Sequence, residues 1–195
     1  MDRKDITELH YITPITNLPS IMKLGILSYK RASKVGHVSV AMEEIQNKRR
    51  QKKIPGAGHL HDYVNLYFDA HNPMLSKRRD KNSELCILRV DPKVLDINGV
   101  IVADCNAASS YAKFLTVEEG LPLLDKDLIY AKYWNHEDLF EKWSRGAKKC
   151  AEVLVPDVVP CEYIKGAYVI NQDIQKAVLL LRFSLPVTID NGIFF

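Results

Sequence analysis

Apolar positions in this chain come in short runs, and their spacing changes from run to run. "HYIT", residues 10–13, has the length and character of a strand. "NLPSIMKLG" switches to a helical period: Leu18, Ile21, Met22 and Leu24 make one stripe, Asn17 stands at the N-cap position, Pro19 lies in the first turn and Gly25 supplies the stop. "EEIQNKRRQKK" is polar and predicts a helix ending before the turn-forming "IPGAG". "YVNLYF", residues 63–68, is aromatic and β-branched, and it enters a turn at Asn72-Pro73. "LCILRV" and "GVIVAD" are apolar strands around the Asp91-Pro92 break. From Leu121 to Lys149 charge and apolar residues mix at helical spacing. "EVLV", "GAYVI" and "AVLLLRF" follow as strands, with "NQDIQK" between the last two as a turn or short helix. Short strands mixed with a few helices predict an α+β fold, not a βαβ array.

Of the 195 residues, 47% are hydrophobic, enough for one domain, 1–195, with a real core. No apolar run is long enough to span a bilayer, and "MDRKDITELHYIT" has no signal-peptide core, so no membrane association is expected. Cys86, Cys105, Cys150 and Cys161 are scattered with no CxxC pair, which suits reduced thiols in the cytoplasm. No GxGxxG, HExxH or GxSxG occurs. His59 and His61, two apart, would share one face of a strand, with His71 further on; lacking a supporting motif, they are expected as polar loop histidines, not metal ligands.

Net charge is only +3, but its distribution is uneven. Lys48, Arg49, Arg50, Lys52 and Lys53 form one basic run; Lys77, Arg78, Arg79 and Lys81 form another, and the two flank the "YVNLYF" strand. Such clusters suit phosphates, of a nucleotide or a nucleic acid. One acid stands apart: Glu152 opens the apolar run "AEVLVPDVVP". A carboxylate beside a core costs several kcal/mol unless it is solvated, paired or used. From the residues alone this is a polyanion-binding α+β domain with a candidate catalytic carboxylate. A plain nucleic-acid-binding module without catalysis is the favoured reading of those residues by themselves: it accounts for the basic runs and tyrosines but leaves Glu152 as an accident of a strand end.

The order of the segments resembles the DarT family, bacterial toxins that transfer ADP-ribose from NAD+ onto bases of single-stranded DNA. "HYITPITNLPSIMKLG", "IQNKRRQKKIP", "HLHDYVNLYFDAHNPML" and "KKCAEVLVPDVVP" carry it; "HDYV..YF" with "PML", and "AE.LV", are its specific parts. The resemblance implies an ADP-ribosyltransferase fold with a split mixed β-sheet and helices around an NAD+ cleft. It implies Glu152 and Arg49 as catalytic residues. Tyr11, Thr13, Asn17, Tyr67 and Arg49 fall on NAD+-binding positions. It also implies single-stranded DNA and an ADP-ribosyl glycohydrolase antitoxin as partners, with NAD+ as co-substrate; protein or RNA acceptors are the alternative.

Two departures from the family pattern matter. Where relatives read "HIT", this chain has Tyr11-Ile12-Thr13; His10 is adjacent, but a one-residue shift on a strand turns a side chain to the other face. Tyr111 stands where thymine-modifying members carry a base-side histidine, which favours guanine over thymine as acceptor. The residue types suit the chemistry. Breaking the ribose–nicotinamide bond builds oxocarbenium character that a carboxylate stabilises, and an arginine fork holds pyrophosphate oxygens better than lysine.

Overall fold

The computed structural model describes residues 1–39 and 43–195. The strands of its main sheet are β1 (Leu9–Pro14), β2 (Tyr63–Tyr67), β3 (Leu85–Val90), β4 (Ile101–Ala103), β5 (Phe114–Leu115), β6 (Glu152–Pro156), β7 (Ile164–Val169) and β8 (Val187–Ile189). They form one sheet in the order β8-β7-β3-β1-β2-β6-β4-β5. β7 and β8 run parallel and the other neighbours antiparallel, so the sheet is mixed, as expected.

The sheet is also split, and the register shows where. β1 pairs with β3 residue by residue, from Leu9↔Val90 to Pro14↔Leu85. β2 pairs with β6 in the same way, from Tyr63↔Pro156 to Tyr67↔Glu152. Between these halves, β1 and β2 meet at His10↔Tyr67 alone. Beyond that pair the strands part, leaving Tyr11–Pro14 and Tyr63–Leu66 without each other as ladder partners. One row of cross-strand partners therefore crosses the split: Gly166, Arg89, His10, Tyr67, Glu152, Ala103 and Phe114. Partners in a row share a face of the sheet, and sequence neighbours take opposite faces.

Both faces are covered. Leu9, Leu66, Leu88, Val102, Val153 and Val155 turn to one side and pack with Leu18 and Ile21 of helix α1 (Leu18–Leu24). Ile12, Tyr67 and Ile87 turn to the other, beside Leu75 and Cys150. Helix α2 (Glu43–Gln51) is polar, as its sequence predicts, yet its Arg49 is buried. Helix α3 (Leu139–Lys149) starts at Asp138, whose carboxylate accepts from the Glu141 N–H at 2.9 Å. It ends against the core, where buried Lys149 donates to Asp69 (2.9 Å) and to the Ile129 carbonyl (2.8 Å).

Two expectations need correction. "AVLLLRF" is not a strand: Asn171 accepts from the Ile174 N–H (3.0 Å) and starts helix α4 (Gln172–Leu180). The run looked strand-like because its residues are uniformly apolar, but a helix buries only one stripe, here Val178, while Leu180 is 84% exposed. The mixed helical spacing of 121–149 resolves into separate pieces: Leu121–Leu123 and Lys126–Ile129 are single turns, the second capped by Asp125, and α3 follows. His59 and His61 share no strand face, because Leu60–Asp62 is a 3-10 turn.

Candidate active site

Glu152 is the first residue of β6 and is fully buried. One oxygen accepts from the Ala107 N–H at 2.9 Å. Arg49 donates from Nη1 to both oxygens, at 3.1 and 3.3 Å. The acid is thus paired, not solvated, and its partner comes from a helix 103 residues away in sequence. Arg49 is buried as well, so the pair sits in a low-dielectric setting where its parts hold one another. The loop supplying Ala107 is pinned by Lys52, whose ammonium donates to the Ser109 carbonyl at 2.7 Å. Asn106 N–H donates to the Ala147 carbonyl of α3 at 2.9 Å, tying the same loop to that helix.

In front of the pair lies a cavity of about 620 Å³, within the range of small-molecule sites. It opens where the β1–β2 ladder stops: Tyr11, Ile12, Thr13 and Pro14 line one side, Tyr63, Val64, Asn65 and Tyr67 the other. α2 contributes Gln46, Lys48 and Arg49, and the 73–78 segment contributes Pro73, Met74, Lys77 and Arg78. α3 adds Lys142, Trp143, Gly146 and Ala147. Aromatic walls with cations at the rim suit a ligand bearing both rings and phosphates.

Burial sets the protonation of the wall. It pushes the Tyr11 phenol up to about 12, against the opposing charge of Arg49. Burial, then the neighbouring Glu152 carboxylate, raises the Tyr67 phenol well above its ordinary value. Both phenols stay neutral at physiological pH. Burial also pushes the Cys150 thiol up to about 12, with Glu152 adding to it, so this thiol is not a nucleophile. His61 stacks on Tyr29 with centroids 4.1 Å apart, and its Nε2 lies 3.0 Å from Gln46 Oε1. Burial, then Arg49 and Arg50, lower its pKa.

Of the residues singled out from sequence, Tyr11, Thr13, Asn17, Arg49 and Tyr67 all line this cavity, and Glu152 lies behind Arg49. Asn17 does not cap α1 with its side chain; it donates to Thr13 Oγ1 (3.1 Å) and the Val38 carbonyl (2.8 Å) and accepts from the Val38 N–H (3.0 Å). Tyr111 is 60% exposed and is not on the cavity wall, although Ala108 and Ser109 are. His10 occupies the opposite face from Tyr11, beside Glu8 at 3.1 Å. Lys48 and Arg49 from one basic run and Lys77 and Arg78 from the other line the same cavity. Sequence reasoning missed Gln46, Ala107, Lys142 and Trp143. Among the described residues no group of three or more His, Cys, Asp or Glu could hold a metal ion, and no helix is long and apolar enough to cross a membrane.

The split mixed sheet, with a buried glutamate on the row bridging its halves, is shared with solved ADP-ribosyltransferase structures of the DarT type. DarT of Thermus sp. strain 2.9 in complex with ADP-ribosylated single-stranded DNA superposes with a TM-score of 0.86 at 26% identity, over 98% of this chain and 97% of that one. The same enzyme in complex with NAD+ gives a TM-score of 0.82 at 25% identity, over 97% of this chain and 98% of that one. The family profile described as "ssDNA thymidine ADP-ribosyltransferase, DarT" matches residues 10–195, and the chain belongs to the DarT family. A DNA ADP-ribosyl transferase of Thermus sp. strain 2.9 is 30% identical over 92% of this chain and 89% of its own length. A Thermosipho africanus protein, a DNA ADP-ribosyl transferase–DNA ADP-ribosyl glycohydrolase fusion, is 31% identical over 96% of this chain. This chain spans 49% of that fusion's length.

Proposed function

We propose that this chain transfers ADP-ribose from NAD+ to a base of single-stranded DNA and releases nicotinamide. The observation that carries the reading is the Arg49–Glu152 pair, buried at the wall of a cavity with aromatic sides and a cationic rim. In the proposed step the bond between ribose C1′ and nicotinamide breaks, and nicotinamide leaves as a neutral molecule. A ring nitrogen of the base bonds to C1′, and its proton passes to the Glu152 carboxylate. Glu152 also faces the cationic ribose as the bond breaks. Because Arg49 covers the carboxylate, it has to yield one contact when substrate enters; the cofactor pyrophosphate is the competing anion. Thr13, Asn17, Tyr11 and Tyr67 surround the cofactor in this reading.

For the acceptor base we favour thymine, the base in the family's description. The case for guanine rested on Tyr111 replacing a base-side histidine. Its exposed position off the cavity wall weakens that argument, though an exposed phenol at a loop still offers a stacking face. The proposed organisation is one domain, 1–195, supported by a sheet whose strands run from Leu9 to Ile189. A toxin role, with a glycohydrolase that reverses the modification, is supported by the Thermosipho fusion. The cytoplasm, where reduced thiols persist, suits the four free cysteines.

The test is incubation with labelled NAD+ and two single-stranded oligonucleotides, one lacking G and one lacking T, followed by nucleoside mass spectrometry. Label on the G-free strand alone assigns thymine, and label on the T-free strand alone assigns guanine. Label on protein or RNA with none on DNA moves the acceptor class. No covalent label on any acceptor leaves a binding module and overturns the proposal.

A further inference from the structure

The outer half of α3 is an apolar surface that the fold itself does not use. At about 100° per residue, Leu139, Lys142, Trp143, Gly146 and Cys150 fall on one face of the helix, flanked by Phe140. The inner part of that face, from Lys142 to Cys150, lines the cavity, and Gly146 lies against Trp134 and Pro73. The outer part is open: Leu139 is 60% exposed, Phe140 77% and Trp143 63%. The Phe140 and Trp143 rings pack edge to face, with centroids 5.9 Å apart and planes at 72°, so the two exposed rings form one aromatic cluster. Exposed aromatic clusters of this kind mark interaction sites.

Charge says what they take. Lys142 is the charged side chain on this face of α3, and Lys77 and Arg78 stand on the rim of the same cavity. Glu141 falls on the far side of the helix, and Asp138 is committed to capping the Glu141 N–H. An apolar pair bordered by cations and continuous with the catalytic cavity matches an anionic chain with exposed rings. We propose that Phe140 and Trp143, with Lys142 beside them, form a stacking platform for the nucleotides of a single strand that flank the acceptor. Trp143 lines the cavity and Phe140 lies beyond it, so the pair leads outward from the catalytic pocket along the path of a strand. Single strands are selected because a paired base has both faces occupied. The inference rests on the base-directed reading above.

The experiment measures binding of a fluorescent single-stranded oligonucleotide by anisotropy across a salt series, for the wild type, Phe140→Ser, Trp143→Ser and Lys142→Ala. Both aromatic residues are mostly exposed, so the variants fold. Each aromatic replacement weakens binding by about tenfold while keeping the wild-type salt slope. Lys142→Ala weakens it less but lowers the slope of log K against log salt by about 0.7. NAD+ affinity holds in Phe140→Ser. Aromatic variants that bind the strand within twofold of wild type overturn the platform, even if the wild type modifies DNA. A wild type that binds the strand through these residues but labels no DNA fails the base-directed reading alone. If sedimentation shows that Trp143→Ser abolishes self-association with strand affinity unchanged, the face belongs to a second copy and the inference is wrong.

Discussion

Replacing Glu152 with alanine should cost stability as well as catalysis, because the acid is half of a buried pair. The substitution leaves Arg49 buried without its counter-ion and the Ala107 N–H without its acceptor. Removing one partner of a buried pair costs about 3–5 kcal/mol. Arg49 lines the cavity and can turn part of its guanidinium toward water, so the low end, about 3 kcal/mol, applies. For a domain of this size that lowers Tm by roughly 6–12 °C. Glu152→Gln is milder. Its carbonyl can keep the Ala107 bond and the 3.3 Å Arg49 contact, while its amide nitrogen meets the Arg49 donor where the second oxygen stood. A loss of about 1–2 kcal/mol is expected.

Thermal melts of the two single variants and of Arg49→Met/Glu152→Met separate these terms. The double variant should regain most of the stability lost in Glu152→Ala, since two apolar side chains leave no stranded charge. Transfer assayed well below the melting range should fall by about 10²–10⁴ in Glu152→Gln, and that loss is chemical because the protein is folded. Glu152→Ala melting within about 2 °C of wild type would refute the buried-pair reasoning. Near-wild-type labelling by folded Glu152→Gln would refute the catalytic role.

Arg49→Lys keeps the charge but should lose most of the turnover, because an ammonium has a single nitrogen and cannot reproduce the planar fork that faces Glu152 with one nitrogen and a pyrophosphate with another; wild-type turnover would make Arg49 one more basic side chain. Lys52→Ala should reduce transfer by freeing the loop that carries Ala107, with no change in the salt dependence of DNA binding; a lowered salt slope would instead make Lys52 a phosphate contact. Glu8 is held at about 2, down from 4.5: burial raises it, but hydrogen bonds from His10, Arg89 and Tyr168 outweigh that. The stability it adds is therefore complete above pH 4.5 and lost as pH falls toward 2, so melts of Glu8→Gln across that window should be flatter than those of the wild type.

Much of the fold was legible because its elements carry local signatures. α1 has a clean helical stripe with a glycine stop at φ 80°, and β2 and β3 are the apolar runs that their composition predicts. The α4 segment was misjudged because an all-apolar run has no period, and only the Asn171 cap distinguishes a helix there. Glu152 stood out from the residues alone, as an acid opening an apolar run, but Arg49 was singled out from its basic run only through resemblance. Nothing local announces that a cation on a polar helix and an acid at a strand start will meet inside the protein. Ala107 was invisible for a plainer reason: its contribution is a backbone N–H, which every non-proline residue has. Trp143 was hidden in a stretch whose mixed spacing blurred where α3 begins.

The row His10–Tyr67–Glu152 places the acid where the two halves of the sheet are still joined, while the cavity opens where they part. Rigidity and access thus come from adjacent positions on the same strands. Glu152 is held by ladder pairing on both sides, to Tyr67 and to Ala103. Residues 11–13 and 63–66 have a ladder partner on their outer side only. Amide exchange should show this division. Amides of Tyr67 and Glu152 should exchange slowly with or without ligand, at the rate of global unfolding, whereas the amides of 11–13 and 63–66 that face the gap should exchange faster and slow down when NAD+ is added. Uniform protection along β1 and β2 without ligand would mean that the gap is closed in solution. Protection by NAD+ spread evenly over the sheet, with no focus on these two edges, would place the cofactor elsewhere.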